Sequence, residues 1–419
     1  MGEQNPAVAA VRPRPRVSRL RPATTMVGPA FVAAVAYVDP GNFATNISAG
    51  AQYGYTLIWV IMVANVMAML IQYLSAKLGL ATGHDLAELC RERLPRRVSF
   101  GLWVQAELVA MATDLAEFVG AAIGLNLLFG VPMPVAGLIT AVVAFAILAL
   151  EQRGYRRFEL AIAALFGVVF LGFAYDLFWV GADPVGVVAG LIPSFAGPDG
   201  VLLAVGIIGA TVMPHAIYLH SALTKARGRG EGEEVRRKLL KSLRADVIVA
   251  LGTASLINVS MLVLAASLLH ATGLGGADPI LLAHADLDRY VGGGAALVFA
   301  VALLASGVSS SSVGTYAGQV VMRGFLNRSL PLFLRRGVTM LPALVVLGLR
   351  LPATDSLVLS QVVLSFGIPF ALVPLVLLTR RRDVMGPFVN RRITTIAASS
   401  CAAVIIALNT YLIVGVFAF

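Results

Sequence analysis

Long apolar runs separated by short polar segments follow one another along the chain after residue 25. A run of about 20 apolar residues is long enough to cross a bilayer as a helix. The pattern therefore predicts an all-α polytopic membrane protein with eleven spans. We place them at 26–47, 52–81, 100–130, 132–151, 157–181, 201–226, 242–271, 290–324, 332–350, 355–380 and 390–419.

Two of these runs are interrupted near the middle by polar residues and proline. The interruption is Asp39-Pro40-Gly41-Asn42 in span 1 and Ala210-Thr211-Val212-Met213-Pro214-His215 in span 6. Proline removes a backbone donor, and unwound backbone at membrane depth is tolerated only where it faces protein or a watery cavity. The two spans begin on opposite sides, and paired broken helices in two inverted halves indicate a midplane substrate site in secondary transporters.

Composition agrees with a membrane protein, and charge placement gives the topology. The chain is 58% hydrophobic and 13% charged, with a mean hydropathy of +0.85. Its net charge of +10 comes from Lys and Arg in alternate polar segments; only Arg289 and Arg350 lie on the other side. By the positive-inside rule the N-terminus is cytoplasmic and the C-terminus lies outside. This placement argues against a nucleic-acid partner and for a lipid bilayer.

The same pattern suggests how the chain divides. Residues 1–25 are rich in Pro and Arg and predict a disordered cytoplasmic tail. Residues 26–181 and 201–380 are expected to form two five-helix repeats of one transport domain, with 390–419 as a peripheral eleventh helix. Lys225–Arg244 is expected to be a solvated cytoplasmic loop. The excess of Arg over Lys indicates a GC-rich genome and hence a bacterial inner membrane.

The two interruptions together offer ligands for a metal ion. Asp39 and Asn42 supply hard oxygens, and unwound backbone adds carbonyls, plausibly those of Ala36 and Ala210. Met213 supplies a thioether, which favours transition metals over Mg²⁺ and Ca²⁺. A membrane methionine alone is more often a space filler. As a set, these groups suit Mn²⁺, Fe²⁺, Co²⁺ or Cd²⁺.

Acidic side chains on span 3 suggest a proton route. Spacings of seven and three place Glu107, Asp114 and Glu117 broadly on one helical face, and intramembrane acids are usually functional. The alternative is that Arg335 and Arg336, at the start of span 9, pair with these acids for stability. Both interpretations can hold together.

Other polar residues in the spans have two interpretations. His215 and His220 can exchange protons near neutral pH or be buried, hydrogen-bonded imidazoles. Gln361 either faces the cavity or bridges neighbouring helices. Gln72 in span 2 and Asn258 in span 7 are expected to satisfy backbone freed at the breaks.

No catalytic motif is present, so the chain is not expected to be an enzyme, and no cofactor is expected. Two function classes remain beside a metal transporter. One is a sodium- or proton-coupled amino-acid symporter, although Asp39 would repel a substrate carboxylate. The other is a metal-selective channel or metal-sensing receptor. The oligomeric state stays open, with a monomer as one option.

The paired motifs closely resemble the natural resistance-associated macrophage protein (Nramp) family. The resemblance rests on Asp39-Pro40-Gly41-Asn42 together with Met213-Pro214-His215. It extends to Gly28-Pro29-Ala30, Thr113-Asp114-Leu115-Ala116-Glu117 and the region of Gln361. It runs over essentially the whole chain and looks like the bacterial manganese-transporting branch.

The resemblance implies proton-coupled uptake of Mn²⁺ and Fe²⁺ by alternating access on a LeuT-like fold with discontinuous helices 1 and 6. It implies a metal site formed by Asp39, Asn42, Met213 and Ala210, joined by Ala36 and Gln361 in some conformations. It implies a proton route through Asp39, His215, Asp114 and Glu117, with Glu107, Arg335, Arg336 and His220 further along.

Overall fold

The computed structural model describes residues 29–151, 155–195, 197–271, 275–328 and 331–418. Helices and short connections make up this part of the chain. The helices are α1 (Pro29–Ala36), α2 (Pro40–Tyr53), α3 (Ile58–Thr82), α4 (Leu86–Arg93), α5 (Arg96–Phe129), α6 (Met133–Glu151), α7 (Tyr155–Val180), α8 (Pro184–Ala189), α9 (Pro198–Thr211), α10 (Pro214–Lys225), α11 (Glu233–Leu269), α12 (Pro279–Tyr290), α13 (Gly293–Leu326), α14 (Leu332–Thr339), α15 (Leu341–Gly348), α16 (Ala353–Thr379), α17 (Arg382–Met385) and α18 (Arg392–Ala418). Single 3₁₀ turns lie at Ala226–Gly228 and Gly386–Phe388.

Eight helical stretches within the described residues are long and apolar enough to cross a membrane: α3, α5, α7, the stretch from α9 to the following 3₁₀ turn, α11, α13, α16 and α18. The other three predicted spans correspond to α1 with α2, to α6, and to α14 with α15. The count of eleven spans stays a prediction. The predicted tail of residues 1–25 lies outside the described residues.

Two sequence expectations need correction. The segment Lys225–Arg244 is not a loop throughout, because α11 begins at Glu233 and carries its charged residues on a helix. Pairs four residues apart, Glu233 with Arg237 and Glu234 with Lys238, favour helix there. Span 9 is two short helices, α14 and α15, which meet at Met340 just before Pro342.

Contacts between connections show which helix ends lie together. At one end, Lys225 pairs with Asp85, Arg91 donates to the carbonyl of Gly324, and Lys77 donates to Asn390. We call this the basic end, because it gathers the Arg- and Lys-rich segments 77–97, 225–244 and 380–392.

The opposite end joins the remaining connections. Tyr55 contacts the Ser267 hydroxyl at 2.9 Å, and Ser267 donates to the carbonyl of Gly181. The Asp278 carboxylate caps α12 and also accepts from the hydroxyl of Thr354 at 2.6 Å, at the start of α16. Alternate connections thus gather at opposite ends, as the distribution of charge along the sequence predicts.

The two broken spans form the centre of the bundle, and α18 lies at its margin. In the most apolar window of Pro198–Gly228, 89% of residues are buried, against 22% in that of Arg392–Gly415. Residues 40–51 of α2 are buried throughout. Asn409 of α18 docks on α16 through two hydrogen bonds with Ser365.

Candidate metal site

The first helix break lies between Ala36 and Pro40. An α-helix would bond the Ala36 carbonyl to the amide of residue 40, but proline has no N–H, so that carbonyl loses its helical partner. The chain restarts at Pro40, which suits the first position of a helix. Asp39 caps this new helix by accepting from the Asn42 amide at 2.8 Å.

Neighbouring helices satisfy the other carbonyls that this break exposes. Asn258 of α11 donates from its side-chain nitrogen to the Tyr37 carbonyl at 3.0 Å. Ser306 of α13 donates to the Val38 carbonyl at 2.7 Å. The expectation for Asn258 therefore agrees with the structure. Gln72 differs, because it donates to the Tyr37 hydroxyl rather than to backbone.

The second break, like the first, leaves a carbonyl without its helical donor because a proline follows four residues later. The carbonyl of Ala210 stands four residues before Pro214 and loses its helical donor for the same reason. It accepts instead from the Asn42 side-chain nitrogen at 3.0 Å. The same nitrogen lies 2.7 Å from Asp39 Oδ1. One amide group therefore joins the two breaks.

Gln361 of α16 lies against both breaks because glycines with no side chain leave space for it. A Cβ placed on Gly41 would overlap the side-chain amide of Gln361, and one placed on Gly209 would overlap its main-chain carbonyl. Each glycine is next to a break, one after Pro40 and one before Ala210. The structure thus brings Asp39, Asn42, Ala210 and Gln361 together. Ala36 and Met213 lie in the same two interruptions.

The candidate ligands are closed off from solvent. Relative exposure is between 0% and 2% for Asp39, Asn42, Ala36, Ala210, Met213 and Gln361. Within the described residues, three of their side-chain oxygens make no hydrogen bond: Asp39 Oδ2, Asn42 Oδ1 and Gln361 Oε1. Leaving buried polar atoms unpaired is costly, and three such oxygens at one place can be satisfied together by a cation.

The span 3 acids lie on α5 and face arginines of α14. Arg335 lies 2.8 Å from Glu107, and Arg336 lies 3.3 Å from Asp114. Arg336 also donates to the carbonyl and hydroxyl of Ser311 and to the hydroxyl of Thr315. Glu107 and Asp114 are therefore paired with arginine, as the stability interpretation expects.

Glu117 has no arginine within ion-pair distance in the described part of the chain. It lies three residues, about one helical turn, after Asp114 on the same face of α5. Its Oε2 atom is buried without a partner, and Gly314 of α13 leaves room for the carboxyl group.

Both breaks contact α5 on either side of these acids. A Cβ on Gly120 would overlap the ring of Pro40, which places the first break one turn beyond Glu117. His215, directly after the second break, lies 3.2 Å from the Thr113 hydroxyl through its Nδ1 atom. Asp114 and Glu117 thus occupy the stretch of α5 that both breaks border. Glu107 lies ten residues from Glu117, about 15 Å along the helix toward the basic end.

His220 belongs to a different polar file. Its Nδ1 atom lies 2.9 Å from Gln72 Oε1, and Gln72 donates to the Tyr37 hydroxyl at 2.6 Å. These contacts lead from α10 through Gln72 of α3 to Tyr37 at the first break. The structure therefore brings His215 to the acids of α5 and places His220 apart from them.

The sequence motifs include Gly41 and Thr113 but predict no contact for them or for the other glycines that lie against the breaks. Gly41, Gly209 and Gly120 each allow a helix to approach a break, and Thr113 carries the contact of His215. Small residues inside apolar helices are a general signal of close helix packing. That signal does not say which of the chain's 41 glycines touch the site.

Comparison with known proteins identifies relatives over nearly the whole chain. The chain is 51% identical over 392 residues to the divalent metal cation transporter MntH of Bacillus subtilis, covering 93% of this chain and 92% of the relative. It is 54% identical over 389 residues to the protein of that name from Deinococcus radiodurans, covering 92% and 89%. These relatives are named as transporters, in agreement with the prediction that the chain is not an enzyme.

Solved structures show the same architecture. The Eremococcus coleocola manganese transporter, in complex with an aromatic bis-isothiourea substituted compound, superposes with a TM-score of 0.84 at 32% identity, over 94% of this chain and 87% of that one. Mhp1, a nucleobase-cation-symport-1 family transporter, matches with a TM-score of 0.60 at 14% identity over 92% of each chain. This second likeness concerns the fold alone.

The fold class predicted from the sequence is confirmed. The described chain is helical, its first and sixth spans are discontinuous at the expected residues, and it shares its fold with these membrane transporters. The family model described as natural resistance-associated macrophage protein-like matches residues 30–415. The chain belongs to this Nramp-like family.

Proposed function

We propose that the chain is a proton-coupled importer of divalent transition metals that works by alternating access. The observation that carries the proposal is the set of three buried, unpartnered oxygens of Asp39, Asn42 and Gln361 at the junction of two broken helices. A divalent cation that has shed most of its water would satisfy all three once the Asn42 amide turns its oxygen toward the site. The names of the relatives, divalent metal cation transporter and manganese transporter, support this cargo.

The donor set suits Mn²⁺, Fe²⁺, Co²⁺ and Cd²⁺. One carboxylate, two amide oxygens and the freed carbonyls of Ala36 and Ala210 are hard ligands, and Met213 adds a soft thioether. No group of three His, Cys, Asp or Glu side chains in the described residues is arranged to hold a metal. A site with a single carboxylate binds less tightly than an acidic or thiolate cage, as suits an ion that must be released.

The proton route of the proposal runs along α5. Asp39 and His215 lie at the breaks, Asp114 and Glu117 lie beside them, and Glu107 continues the file toward the basic end. The buried carboxyl group of Glu117, which has an unpartnered oxygen and lies one turn from Asp114, supports a place where a proton is held. Arg335 and Arg336 would set the charge of the carboxylates as protons arrive and leave. His220 supplies a separate file through Gln72.

The basic end faces the cytoplasm of a bacterium by the positive-inside rule, which places the N-terminus inside and the C-terminus outside. Residues 26–181 and 201–380 act as inverted repeats, with 390–419 peripheral. Alternating access passes through an occluded state, in which the site is closed to solvent on both sides. In the proposed cycle, the buried site of this structure corresponds to that state.

Mn²⁺ uptake into proteoliposomes, measured with H⁺ flux across a range of pH and voltage, tests the proposal. Asp39→Asn removes the carboxylate from the site and should abolish Mn²⁺ uptake. Asp176→Asn is the matched control, because Asp176 is another buried acid with unpartnered oxygens, on α7. It should retain most of the uptake. Robust uptake by Asp39→Asn, or Mn²⁺ uptake without H⁺ flux, contradicts the proposal.

A further inference from the structure

A groove of about 930 Å³ opens at the basic end, between α3, α11 and the connection that precedes α18. Six basic side chains line it: Lys77, Arg237, Lys238, Lys241, Arg244 and Arg391. The groove is separate from the two helix breaks and takes no part in the proposed metal or proton route.

Most of the positive charge in this groove has no local counterion. Arg237 pairs with Glu233 at 2.5 Å, and Lys238 pairs with Glu234 at 2.7 Å. Among the described residues, the other four cations form no ion pair with a carboxylate. Lys77 is the most enclosed of them, with 7% relative exposure, and its ammonium group donates to Asn390 Oδ1 at 2.7 Å. A neutral amide leaves the charge of Lys77 uncompensated.

Both long helices that wall the groove change from basic to apolar along one face. On α11 the basic residues Arg237, Lys241 and Arg244 are followed by Val247 and Ile248, at spacings of three and four. Ile248 is 49% exposed although it is apolar, which is normal for a side chain that faces lipid.

On α3 the side chains also change from basic to apolar along one face, here toward lower residue numbers. Lys77 is followed toward the membrane interior by Tyr73, Leu70 and Met69, all of which line the groove. The groove therefore has cations at its mouth and aliphatic walls below. A soluble anion would use only the first of these features.

We propose that this groove binds one anionic phospholipid from the leaflet at the basic end. The phosphate of the headgroup lies among Lys77, Lys241, Arg244 and Arg391, and the acyl chains run along Leu70 and Ile248. Basic pockets between transmembrane helices are the expected sites of acidic headgroups. The lipid would join α3 and α11 to Asn390, which is itself bonded to Thr379 at the end of α16.

Native mass spectrometry of the full-length protein in detergent tests the site, with phosphatidylglycerol and phosphatidylcholine as probes. The variant Lys241→Gln/Arg244→Gln removes two exposed cations and keeps the enclosed Lys77. Arg96→Gln/Arg97→Gln is the matched control, because it removes the same charge from the same end, at the start of α5. Because each cation near an anionic headgroup adds to its binding, we expect the groove variant to bind phosphatidylglycerol at least about tenfold more weakly than the control.

A second measurement separates a lipid from a free anion. The melting temperature of the wild-type protein is recorded with phosphatidylglycerol, phosphatidylcholine or inorganic phosphate. The proposal expects a rise with phosphatidylglycerol alone, and a smaller rise in the groove variant. Equal affinity of both double variants for phosphatidylglycerol would overturn the proposed lipid site. So would a rise in the wild-type melting temperature with phosphatidylcholine or inorganic phosphate that equals the rise with phosphatidylglycerol. The melting temperatures of the wild-type protein distinguish a lipid from a free anion even if the groove variant does not fold.

Discussion

Asn42 donates a hydrogen bond from its side-chain nitrogen to the main-chain carbonyl of Ala210, 3.0 Å away and 168 positions along the chain. This contact joins the two broken helices directly. It also directs the amide nitrogen, rather than the amide oxygen, toward two oxygens of the candidate metal site, since Asp39 Oδ1 lies 2.7 Å from the same nitrogen. Metal binding would require the amide to turn so that Asn42 Oδ1, which is unpartnered, faces the ion.

Asn42→Ala should therefore weaken Mn²⁺ binding by about tenfold or more, since an interaction with a charged partner contributes about 1.5–3 kcal/mol. Isothermal titration of Mn²⁺ into the purified protein measures the loss. Asn46→Ala is the control, because Asn46 lies one turn further along α2 and bonds Asn258 instead of the site. If both variants lose the same affinity, the effect is structural and Asn42 is not a ligand.

The packing of α16 on the second break gives a prediction about stability and uptake together. Gly209→Ala places a methyl group against the Gln361 carbonyl, and overpacking of this kind costs about 1–3 kcal/mol. We expect a lower melting temperature and reduced Mn²⁺ uptake. In Gly101→Ala the added Cβ meets no atom within 4 Å, so that variant should be neutral or slightly more stable. Normal uptake by Gly209→Ala would show that Gln361 need not approach the break so closely.

At the basic end, Lys225 holds α10 to α4. Its ammonium group lies 2.5 Å from Asp85 and 2.8 Å from Glu88. Arg91 of α4 in turn donates to the Gly324 carbonyl of α13 at 2.6 Å. In the proposed cycle, an opening of the site toward this end that moves α10 would separate α10 from α4. Lys225→Gln should favour opening and raise hydrogen–deuterium exchange in residues 86–93 by severalfold.

The same variant should be sensitive to pH. Burial raises the pKa of Asp85. Burial also acts to raise the pKa of Glu88, but the contacts with Lys225 and the hydrogen bonds with Asp85 together lower it. Without Lys225 both carboxyl groups have higher pKa values in the folded state, so folding takes up protons. The stability deficit of Lys225→Gln should then shrink as the pH falls from 8 toward the ordinary carboxyl range. Arg381→Gln, which breaks an exposed pair with Asp383, is the control and should change little. A deficit that is the same at every pH would contradict this assignment.

The positions of both breaks could be predicted from sequence, because Pro40 and Pro214 remove backbone donors within otherwise apolar runs. The pairing of Arg335 and Arg336 with acids of span 3 could also be anticipated, since an acid inside a membrane needs a partner. Contacts between helices that are distant in sequence could not be predicted. Nothing in the sequence distinguishes Gly209, which admits α16, from Gly101, which faces open space, since that difference arises only when helices pack.

The sequence also does not show that His215 and His220 contact different helices. His215 and His220 lie five residues apart on one short helix, and the sequence assigns them the same chemistry. Five residues correspond to about 500° of rotation, so the two rings point in different directions. His215 reaches α5 through Thr113, and His220 reaches α3 through Gln72. A file of polar residues along the chain is therefore weak evidence for a single proton path.

Met213 gives the prediction that concerns selectivity. A thioether contributes to binding of Mn²⁺ or Cd²⁺ but offers little to Ca²⁺ or Mg²⁺. Met213→Ala should keep part of the Mn²⁺ uptake while letting Ca²⁺ or Mg²⁺ compete, because the remaining oxygens suit those ions equally well. Competition assays in proteoliposomes, with Mn²⁺ as tracer and excess Ca²⁺, measure this directly. Met261→Ala is the matched control, since Met261 is a buried methionine on α11 next to Asn46 rather than in a break. It should reduce stability without changing discrimination against Ca²⁺. Unchanged discrimination in Met213→Ala would mean that the methionine only fills space and that the oxygens alone select the metal.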